Sequence, residues 1–392
     1  MEKILGILGI ILCIGFAYLC SNKKEEINWK SVTYAFLSQL VIAFIFIKTP
    51  VWKLVEWLGN GISWVIFQAN EGINFVFGGV VPSGGFVFFI NSLLPIVFVS
   101  SIMGALFHFG VIQKFVGGVG KIVAKTLNVD SLVAVNGVTN MFLGQTDALF
   151  ITKAYLPKAN EKVIFATMVG GMTSISVSVL GLYHSYGADM TWLIVSLPLS
   201  VCSTFVLTQI LMPTSYSDVN KIEIDNGDRG VNVIETMMNY AQAGFKSCIG
   251  ISIALMVFLS VVALINGTIG LFCDWLTIQA ILGCIFKPLA FLMGVPMVDV
   301  TKVSQLLAMK LATNEVVAYG MPQFNMLSAN AKAMLTVALA GFTGVGSIGI
   351  LIGGYSAVAP NQVKVVAKLG VKALITATFV TMMTGTIVGL ML

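Results

Sequence analysis

Long apolar stretches, separated by short polar ones, dominate the hydrophobic pattern of this 392-residue chain. A helix needs about 20 mainly apolar residues to cross a bilayer. Eight stretches come near that length and predict transmembrane helices, spans one to eight: Ile4–Cys20, Val32–Ile47, Phe86–Leu106, Val163–Tyr183, Trp192–Met212, Ile249–Leu271, Ala333–Gly354 and Ala373–Leu392. The first has no small-x-small cleavage pattern and further spans follow it, which favours a helix over a signal peptide.

Two further stretches predict helices at the membrane surface. Thr49–Pro82 carries several aromatic residues interrupted by polar residues and glycine, which indicates an interfacial helix or a re-entrant excursion. In Phe109–Asn128, lysines alternate with apolar residues at helical spacing. That pattern is typical of an amphipathic helix that lies on the membrane.

Two apolar stretches, Val129–Lys158 and Val295–Phe324, carry polar residues at their middle. These are Asn140, Gln145, Thr146 and Asp147 in the first, and Lys310, Thr313, Asn314 and Glu315 in the second. Burying them in a straight span is costly unless they line a cavity. Two short helices folded as a re-entrant hairpin avoid this cost, because irregular backbone is tolerated where protein covers it or where it lines a solute site.

The two hairpins belong to an internal repeat. Asp147 is followed by a helix that Gly and Ser are predicted to break at Gly170–Tyr183, Glu315 is followed by another broken helix at Ala340–Tyr355, and one more span follows each. Three complete spans lie between the acids, so the hairpins enter from opposite sides. This is the pattern of an inverted-topology repeat with solute bound where its halves meet. The alternative explanation is that glycine and serine only permit close helix packing. It accounts for the glycines but not for the acid that precedes each of the two stretches.

We therefore predict an all-α polytopic membrane protein with eight transmembrane helices, two re-entrant hairpins in an inverted repeat and interfacial amphipathic helices. Four divisions follow along the chain. Residues 1–128 hold the scaffold spans one to three and the interfacial helices, and residues 129–212 hold the first repeat with hairpin 1 and spans four and five. Residues 213–294 hold a loop, span six and an interfacial segment, and residues 295–392 hold hairpin 2 with spans seven and eight.

Composition strengthens the membrane assignment and sets the topology. Hydrophobic residues make up 57% of the chain and charged residues 10%, against about 25% charged residues in soluble proteins. The net charge of +5 is spread along the chain, which disfavours nucleic-acid binding. Basic residues follow spans one, three, five and seven: Lys23, Lys24 and Lys30; Lys114, Lys121 and Lys125; Lys221 and Arg229; Lys364, Lys368 and Lys372. The positive-inside rule then places both termini outside the bacterial inner membrane.

Other classes of protein have weaker support. The six cysteines form no CxxC pair, and the HExxH and GxSxG motifs of hydrolytic enzymes are absent, so we predict neither a metal cluster nor an enzyme. His184, beside Tyr183 and Asp189, is either an interfacial residue or a pH-sensitive gate. The polar loop Ser215–Asn232 is either a docking site or a linker. Polar residues at membrane depth disfavour a purely structural or receptor role.

Three motifs together resemble the concentrative nucleoside transporter family. NMFLGQTDALF (Asn140–Phe150) is similar to the family's GQTEA hairpin, and GVPMVDVTKVSQLLAMKLATNEVVAY (Gly294–Tyr319) resembles its second hairpin, which ends in NEFVAY. GFTGVGSIGI (Gly341–Ile350) resembles the GFANxSSI break in a later helix. The order and spacing of these motifs match over roughly residues 85–392.

The resemblance implies a homotrimer that imports nucleosides in symport with a cation, sodium being favoured and protons the alternative. It implies base contacts from Gln145, Thr146, Asp147 and Val179, and ribose contacts from Glu315, Phe342 and Ser347. The sodium ligands that it implies are Asn140, the carbonyl of Leu143, Ser174 and the carbonyl of Ile175.

Two residues depart from the family pattern. Asp147 replaces the usual Glu, which shortens the carboxylate's reach by about one methylene. Gly344 stands where the family has an Asn that contacts ribose. A carrier of a nucleobase or of another small polar metabolite on the same scaffold is therefore the alternative substrate prediction.

Overall fold

The computed structural model describes residues 1–21, 23–80, 85–215, 229–273 and 276–392, and within these ranges the chain is helical almost throughout. The first ten helices are α1 (Glu2–Leu19), α2 (Trp29–Lys48), α3 (Val51–Phe77), α4 (Pro95–His108), α5 (Val111–Leu127), α6 (Ser131–Thr139), α7 (Asp147–Ile151), α8 (Glu161–Thr173), α9 (Leu180–Ser185) and α10 (Met190–Leu211). The remaining ones are α11 (Val233–Gly270), α12 (Ile278–Leu292), α13 (Val300–Ala312), α14 (Glu315–Gly320), α15 (Pro322–Asn325), α16 (Ala329–Leu339), α17 (Gly346–Val358) and α18 (Val363–Met391).

Within the described ranges, seven helical segments are long and apolar enough to cross a membrane. They are Glu2–Leu19, Trp29–Lys48, Phe89–His108, Glu161–Ser185, Met190–Leu211, Val233–Gly270 and Pro360–Met391, and each matches a predicted span. The remaining predicted span, Ala333–Gly354, consists of two shorter helices, α16 and α17. The predicted all-α membrane fold is confirmed.

Helix α11 begins well before the predicted start of span six at Ile249. Its first turns carry polar residues such as Asn239 and Lys246. These turns are helical, but they are not apolar enough to be recognised as part of a transmembrane span from the sequence. The Asn232 side chain caps the helix by accepting a hydrogen bond from the Glu235 amide at 2.9 Å. At 1.5 Å per residue, the 38 residues extend for about 57 Å, well beyond the roughly 30 Å hydrocarbon core of a bilayer.

Both predicted surface segments form helices. Helix α3 is one uninterrupted helix of 27 residues, so the re-entrant alternative for Thr49–Pro82 is wrong over the described part, which ends at residue 80. Helix α5 is amphipathic as predicted: Lys114, Lys121 and Lys125 are exposed, while Ile112 and Val116 are buried on the opposite face.

The basic loops meet at one end of the molecule, here called the lysine end. Lys162, near the start of α8, forms an ion pair with Glu26 in the α1–α2 loop at 2.5 Å. The hydrogen bond from Lys162 holds the pKa of the Glu26 carboxyl below its ordinary value. Lys372 in α18 donates to the Cys20 carbonyl at 3.4 Å. Lys221 and most of the Ser215–Asn232 loop lie outside the described residues.

The two predicted hairpins start from opposite ends of the molecule. The chain enters α6 directly after Asn128, whose carbonyl accepts a hydrogen bond from Ser31 at 3.0 Å, beside the lysine end. The chain enters α13 after Gly294, which packs against the Glu2 carbonyl at the other end of α1. Gly294 has a φ of 77° and no room for a Cβ there, so glycine is required. This is the arrangement that an inverted repeat requires.

Candidate solute-binding site

The first predicted hairpin consists of α6, an irregular tip and α7. The Asp130 side chain caps α6 by accepting from two amides of its first turn, at 2.9 and 3.3 Å. The helix ends at Thr139, and the chain turns through residues 140–146 before α7 begins at Asp147. The tip therefore carries Gln145 and Thr146, and Asp147 is the first residue of the returning helix.

The second predicted hairpin, α13 and α14, has the same form with a shorter tip. Thr313 ends the first helix, and the Asn314 side chain caps the second by accepting from the Val317 amide at 3.0 Å. Glu315 is then the first residue of α14, as Asp147 is of α7. The Glu315 carboxylate accepts a hydrogen bond from the Tyr183 hydroxyl at 3.0 Å, which fixes its direction.

Each hairpin is followed by a helix that is interrupted at its middle. Helix α8 ends at Thr173, and Ser174 adopts an extended conformation (φ −104°, ψ 163°) before helical structure resumes. Helix α16 ends at Leu339, and α17 begins at Gly346. Ser174 and Ser176 lie in the first interruption, and Gly341, Thr343 and Gly344 lie in the second. Ser, Thr and Gly have lower helix propensity than Ala or Leu, so these positions favour a break in the helix.

The two interruptions lie against each other. The Phe342 amide donates to the Ser174 carbonyl at 3.3 Å, and the Thr343 hydroxyl donates to the Met172 carbonyl at 2.8 Å. Backbone groups that the helix breaks release are therefore satisfied by the opposite half of the protein. The two halves of the predicted repeat meet at this crossing.

A cavity of about 440 Å³ lies beside the crossing. The structure brings to its wall all seven residues that the sequence predicts to bind solute: Gln145, Thr146, Asp147, Val179, Glu315, Phe342 and Ser347. Their roles in binding stay predictions. Asp147 is solvent-accessible at this wall, whereas Gln145 and Glu315 are each only 5% exposed. His184 is exposed in the last turn of α9, with its Nδ1 2.8 Å from the Ala188 carbonyl oxygen.

The sequence did not identify one side of this cavity. Helix α11 contributes Ser247, Gly250 and Phe258, and α4 contributes Ile96. These residues carry no charge and no amide at membrane depth, so nothing in the local pattern distinguishes them from helix-packing residues. Only the packing of α4 and α11 against each other and beside the helix breaks reveals them.

The four predicted sodium ligands lie behind the tip of the first hairpin and not among the cavity-lining residues. Asn140, Leu143, Ser174 and Ile175 are each at most 5% exposed. The Phe142 carbonyl accepts from the Val177 amide at 3.4 Å and from the Ser176 hydroxyl at 3.3 Å, which ties the tip to the break in the following helix.

Asn140 has an acceptor available for a cation. Its Nδ2 donates to Asn136 Oδ1 at 2.9 Å, while its buried Oδ1 has no hydrogen-bond partner among the described residues. A buried oxygen without a partner is costly unless something binds it. The Ser174 hydroxyl donates to the carbonyl of Gly170, a residue that lies beside Asn140, at 2.8 Å. Its oxygen lone pairs remain available to bind a cation. Neutral oxygens of this kind suit a hard cation.

Gly344 is required by a close backbone approach. A Cβ added at this position would lie 2.9 Å from the Thr313 carbonyl oxygen and 3.1 Å from the Lys310 carbonyl oxygen. The next residue, Val345, donates its amide to the Leu311 carbonyl at 3.0 Å. The end of α13 therefore packs directly on the second break, and an Asn side chain at residue 344 cannot be accommodated without moving it.

Comparison with known proteins agrees with this geometry. Three family models match successive parts of the chain: the Na+ dependent nucleoside transporter N-terminus over residues 8–80, nucleoside recognition (Gate) over residues 89–190, and the Na+ dependent nucleoside transporter C-terminus over residues 192–389. An uncharacterized transporter of Haemophilus influenzae is 34% identical over 100% of this chain and 98% of its own length.

Named relatives and solved structures cover the whole chain as well. The nucleoside permease NupC of Helicobacter pylori is 29% identical over 99% of this chain and 98% of its own. The purine nucleoside transport protein NupG of Bacillus subtilis is 28% identical over 100% and 99%. The structure of CNTnw in an inward-facing substrate-bound state superposes with a TM-score of 0.92 at 32% identity, covering 100% of this chain and 98% of that one. A CNTnw variant in an outward-facing state gives 0.93.

Proposed function

Because the chain belongs to the Na+-dependent nucleoside transporter family, we propose that it imports a nucleoside together with Na+ and binds the nucleoside in the cavity beside the helix crossing. It is a multi-pass membrane transporter and not an enzyme. The observation that carries the proposed binding site is the convergence on one cavity wall of seven residues drawn from four separate segments of the chain.

The polarity of the cavity suits the two ends of a nucleoside. Gln145 offers both a donor and an acceptor to a base, and its buried Oε1 has no partner among the described residues. Thr146 and Asp147 lie beside it on the same tip. Glu315, held by Tyr183, accepts hydrogen bonds from ribose hydroxyls, which are strong when the acceptor is charged. Base and sugar are thereby bound by different halves of the repeat.

Sodium binding is proposed behind the first tip, at Asn140, Ser174 and the carbonyls of Leu143 and Ile175. The support is the unpartnered Asn140 Oδ1 and the backbone ties between this tip and the break after α8. An ion at this position holds the tip against the break, and the same tip presents Gln145 to the base. Ion and nucleoside binding therefore favour each other, which is a coupling free energy.

Alternating access follows from the division of the cavity wall. The two hairpins and broken helices form one side, and α4 with α11 forms the other. We propose that the hairpin-bearing unit moves past α4 and α11, and that these two helices belong to a fixed homotrimeric scaffold in the bacterial inner membrane. Relatives solved in inward-facing and outward-facing states support two such arrangements.

One experiment tests the transport proposal and its alternatives. Purified protein in proteoliposomes is given radiolabelled uridine, inosine or adenosine under an imposed Na+ gradient, under a proton gradient, and with choline in place of Na+. The proposal expects uptake of at least one nucleoside that needs Na+ at constant pH. Uptake driven by protons alone contradicts sodium coupling.

The absence of a side chain at Gly344 leaves transport of a free nucleobase as the alternative to transport of a nucleoside. Because the family's Asn is absent, sugar recognition depends on Glu315, Phe342 and Ser347. Free bases added in excess should compete poorly with nucleosides in the same vesicles. If hypoxanthine competes as well as inosine, the ribose side contributes nothing and the chain carries the base.

A further inference from the structure

One buried charge has no part in the proposed transport mechanism. Lys310 lies in the last turn of α13 and is only 3% exposed. Its ammonium donates a hydrogen bond to the Ala338 carbonyl at 2.8 Å. Burying an ammonium is costly, and such residues in a membrane protein usually have a partner and a role. The nearby Glu315 carboxylate interacts with it electrostatically, so the two charges compensate one another.

The partner carbonyl is one that the helix break releases. Ala338 lies in the last turn of α16, and in a continuous helix its carbonyl would accept from the amide of residue 342. The Phe342 amide instead crosses to the Ser174 carbonyl of the other half. Carbonyls at a helix C-terminus carry partial negative charge and favour a cation. The Lys310 ammonium is that cation.

The first half of the repeat has the same arrangement of elements, with Phe142 and not a lysine at the position 168 residues before Lys310. Residue numbers 147 and 315 differ by 168, and so do Gly170 and Ala338. Gly170 lies in the last turn of α8, and its carbonyl accepts from Ser174, one of the proposed sodium ligands. A Cβ added to Gly170 would lie 3.9 Å from Nδ2 of Asn140, another proposed ligand.

The backbone ties between hairpin and break are also repeated. In the first half the Val177 amide donates to the Phe142 carbonyl, and in the second the Val345 amide donates to the Leu311 carbonyl. Val177 and Val345 again differ by 168 residues. Between the hairpin and the last turn of the broken helix lie the neutral side chains of Asn140 and Ser174 in the first half, and the Lys310 ammonium in the second.

We propose that Lys310 is a tethered cation that takes, in the second half of the repeat, the place that the transported Na+ takes in the first. The inference rests on the sodium site proposed above. A tethered ammonium holds the second hairpin to its broken helix and neutralises Glu315 at every stage of transport. Only the first hairpin is then controlled by an exchangeable ion, and a single Na+ accompanies each nucleoside.

Chemical rescue tests this directly. Lys310→Ala removes the ammonium and leaves its space, and we expect at least a tenfold loss of nucleoside uptake in proteoliposomes. Methylammonium, which has the same head group, should restore uptake severalfold, whereas tetramethylammonium, which cannot donate a hydrogen bond, should not. The matched control is Lys302→Ala on the same helix. The Lys302 side chain is 32% exposed, and its variant should gain nothing from methylammonium.

Three outcomes overturn the proposal. They are wild-type uptake in the neutral variant Lys310→Met, equal uptake by Lys310→Ala with and without methylammonium, and coupling of two Na+ per nucleoside in the unmodified protein. The last measurement, from the reversal potential of uptake, needs no variant and remains decisive if Lys310→Ala does not fold. Failure of the transport proposal looks different, because wild-type uptake would then not depend on Na+ at all.

Discussion

Two acidic residues, one from each half of the predicted repeat, line the proposed binding cavity. Glu315 and Asp147 both occupy the first residue of a short helix that follows an irregular tip. At that position a carboxylate interacts favourably with the helix N-terminus. It also faces the cavity and not the lipid. The same local structure in both halves therefore brings one acid from each half to the cavity wall.

Replacing Glu315 by Gln tests the sugar contact at this scale. Hydrogen bonds to charged groups contribute about 1.5–3 kcal/mol, so the half-saturation concentration should rise roughly tenfold to hundredfold for every transported nucleoside. Concentration-dependent uptake measures this change. Glu71→Gln, on the exposed surface of α3, is the control and should behave as wild type. Unchanged uptake by Glu315→Gln would remove the ribose assignment.

Replacing Gly344 by Ala tests the close approach of α13 to the second break. The added methyl group meets two backbone carbonyl oxygens that cannot move independently. Overpacking of this kind costs about 1–3 kcal/mol. We expect a lower melting temperature in detergent and reduced uptake.

Gly349→Ala is the matched control for that substitution. Gly349 lies on α17, and an added Cβ has nothing within 4 Å among the described residues. A methyl group there should leave both melting temperature and uptake unchanged. If the two variants behave alike, steric contact at Gly344 is not the cause.

At the scale of elements, the interruptions in α8–α9 and α16–α17 matter most. Sequence patterns predicted both, because Gly, Ser and Thr cluster where an apolar span should continue. They did not predict that the two interruptions would hydrogen-bond to each other through Ser174, Phe342 and Thr343. That contact joins residues about 170 positions apart, and local propensity contains no information about it.

Replacing Ser174 by Ala tests the proposed coupling between the first tip and its break. Loss of one oxygen ligand should raise the Na+ concentration that gives half-maximal uptake about tenfold, which corresponds to ~1.4 kcal/mol. The maximal rate at saturating Na+ should change little, because the base contacts remain. Initial rates of uptake against Na+ concentration measure both quantities.

Ser356→Ala provides the comparison for that variant. Ser356 is an exposed serine of α17 whose hydroxyl bonds within its own helix, to the Ile352 carbonyl at 2.7 Å. The Ser356→Ala variant therefore measures the effect of losing a serine hydroxyl that bonds only within its own helix. Equal sodium dependence in the two variants would place the ion elsewhere.

At the scale of the whole molecule, α11 is exposed along most of its length. Ile253, Met256, Val257 and Leu264 are each more than half exposed, although α11 also lines the cavity on another face. Such a surface can be covered by lipid or by other copies of the chain. In the proposed homotrimer, lipid and neighbouring copies each cover part of α11, which stays fixed while the hairpins move.

Native mass spectrometry of detergent-purified protein tests the trimer. We expect one dominant species with three copies of the 41.9 kDa chain. Replacing Leu264, which is 70% exposed, by Asp should shift the population to single chains if copies cover this helix. A trimer that tolerates this change would be formed by another surface.

The sequence alone determined the membrane fold, the approximate spans and the acid-bearing tips, because these depend on local composition: apolar length, helix-breaking residues and polar groups at membrane depth. The family resemblance added the prediction of which tip residues bind which part of the solute. Only the tertiary structure decided what the distant segments do together. It brought Ser247 and Phe258 of α11 to the cavity, left no room for a side chain at Gly344, and placed the Lys310 ammonium on the carbonyl that the second break releases. Those features arise from contacts between segments far apart in the chain, which hydrophobic periodicity does not specify.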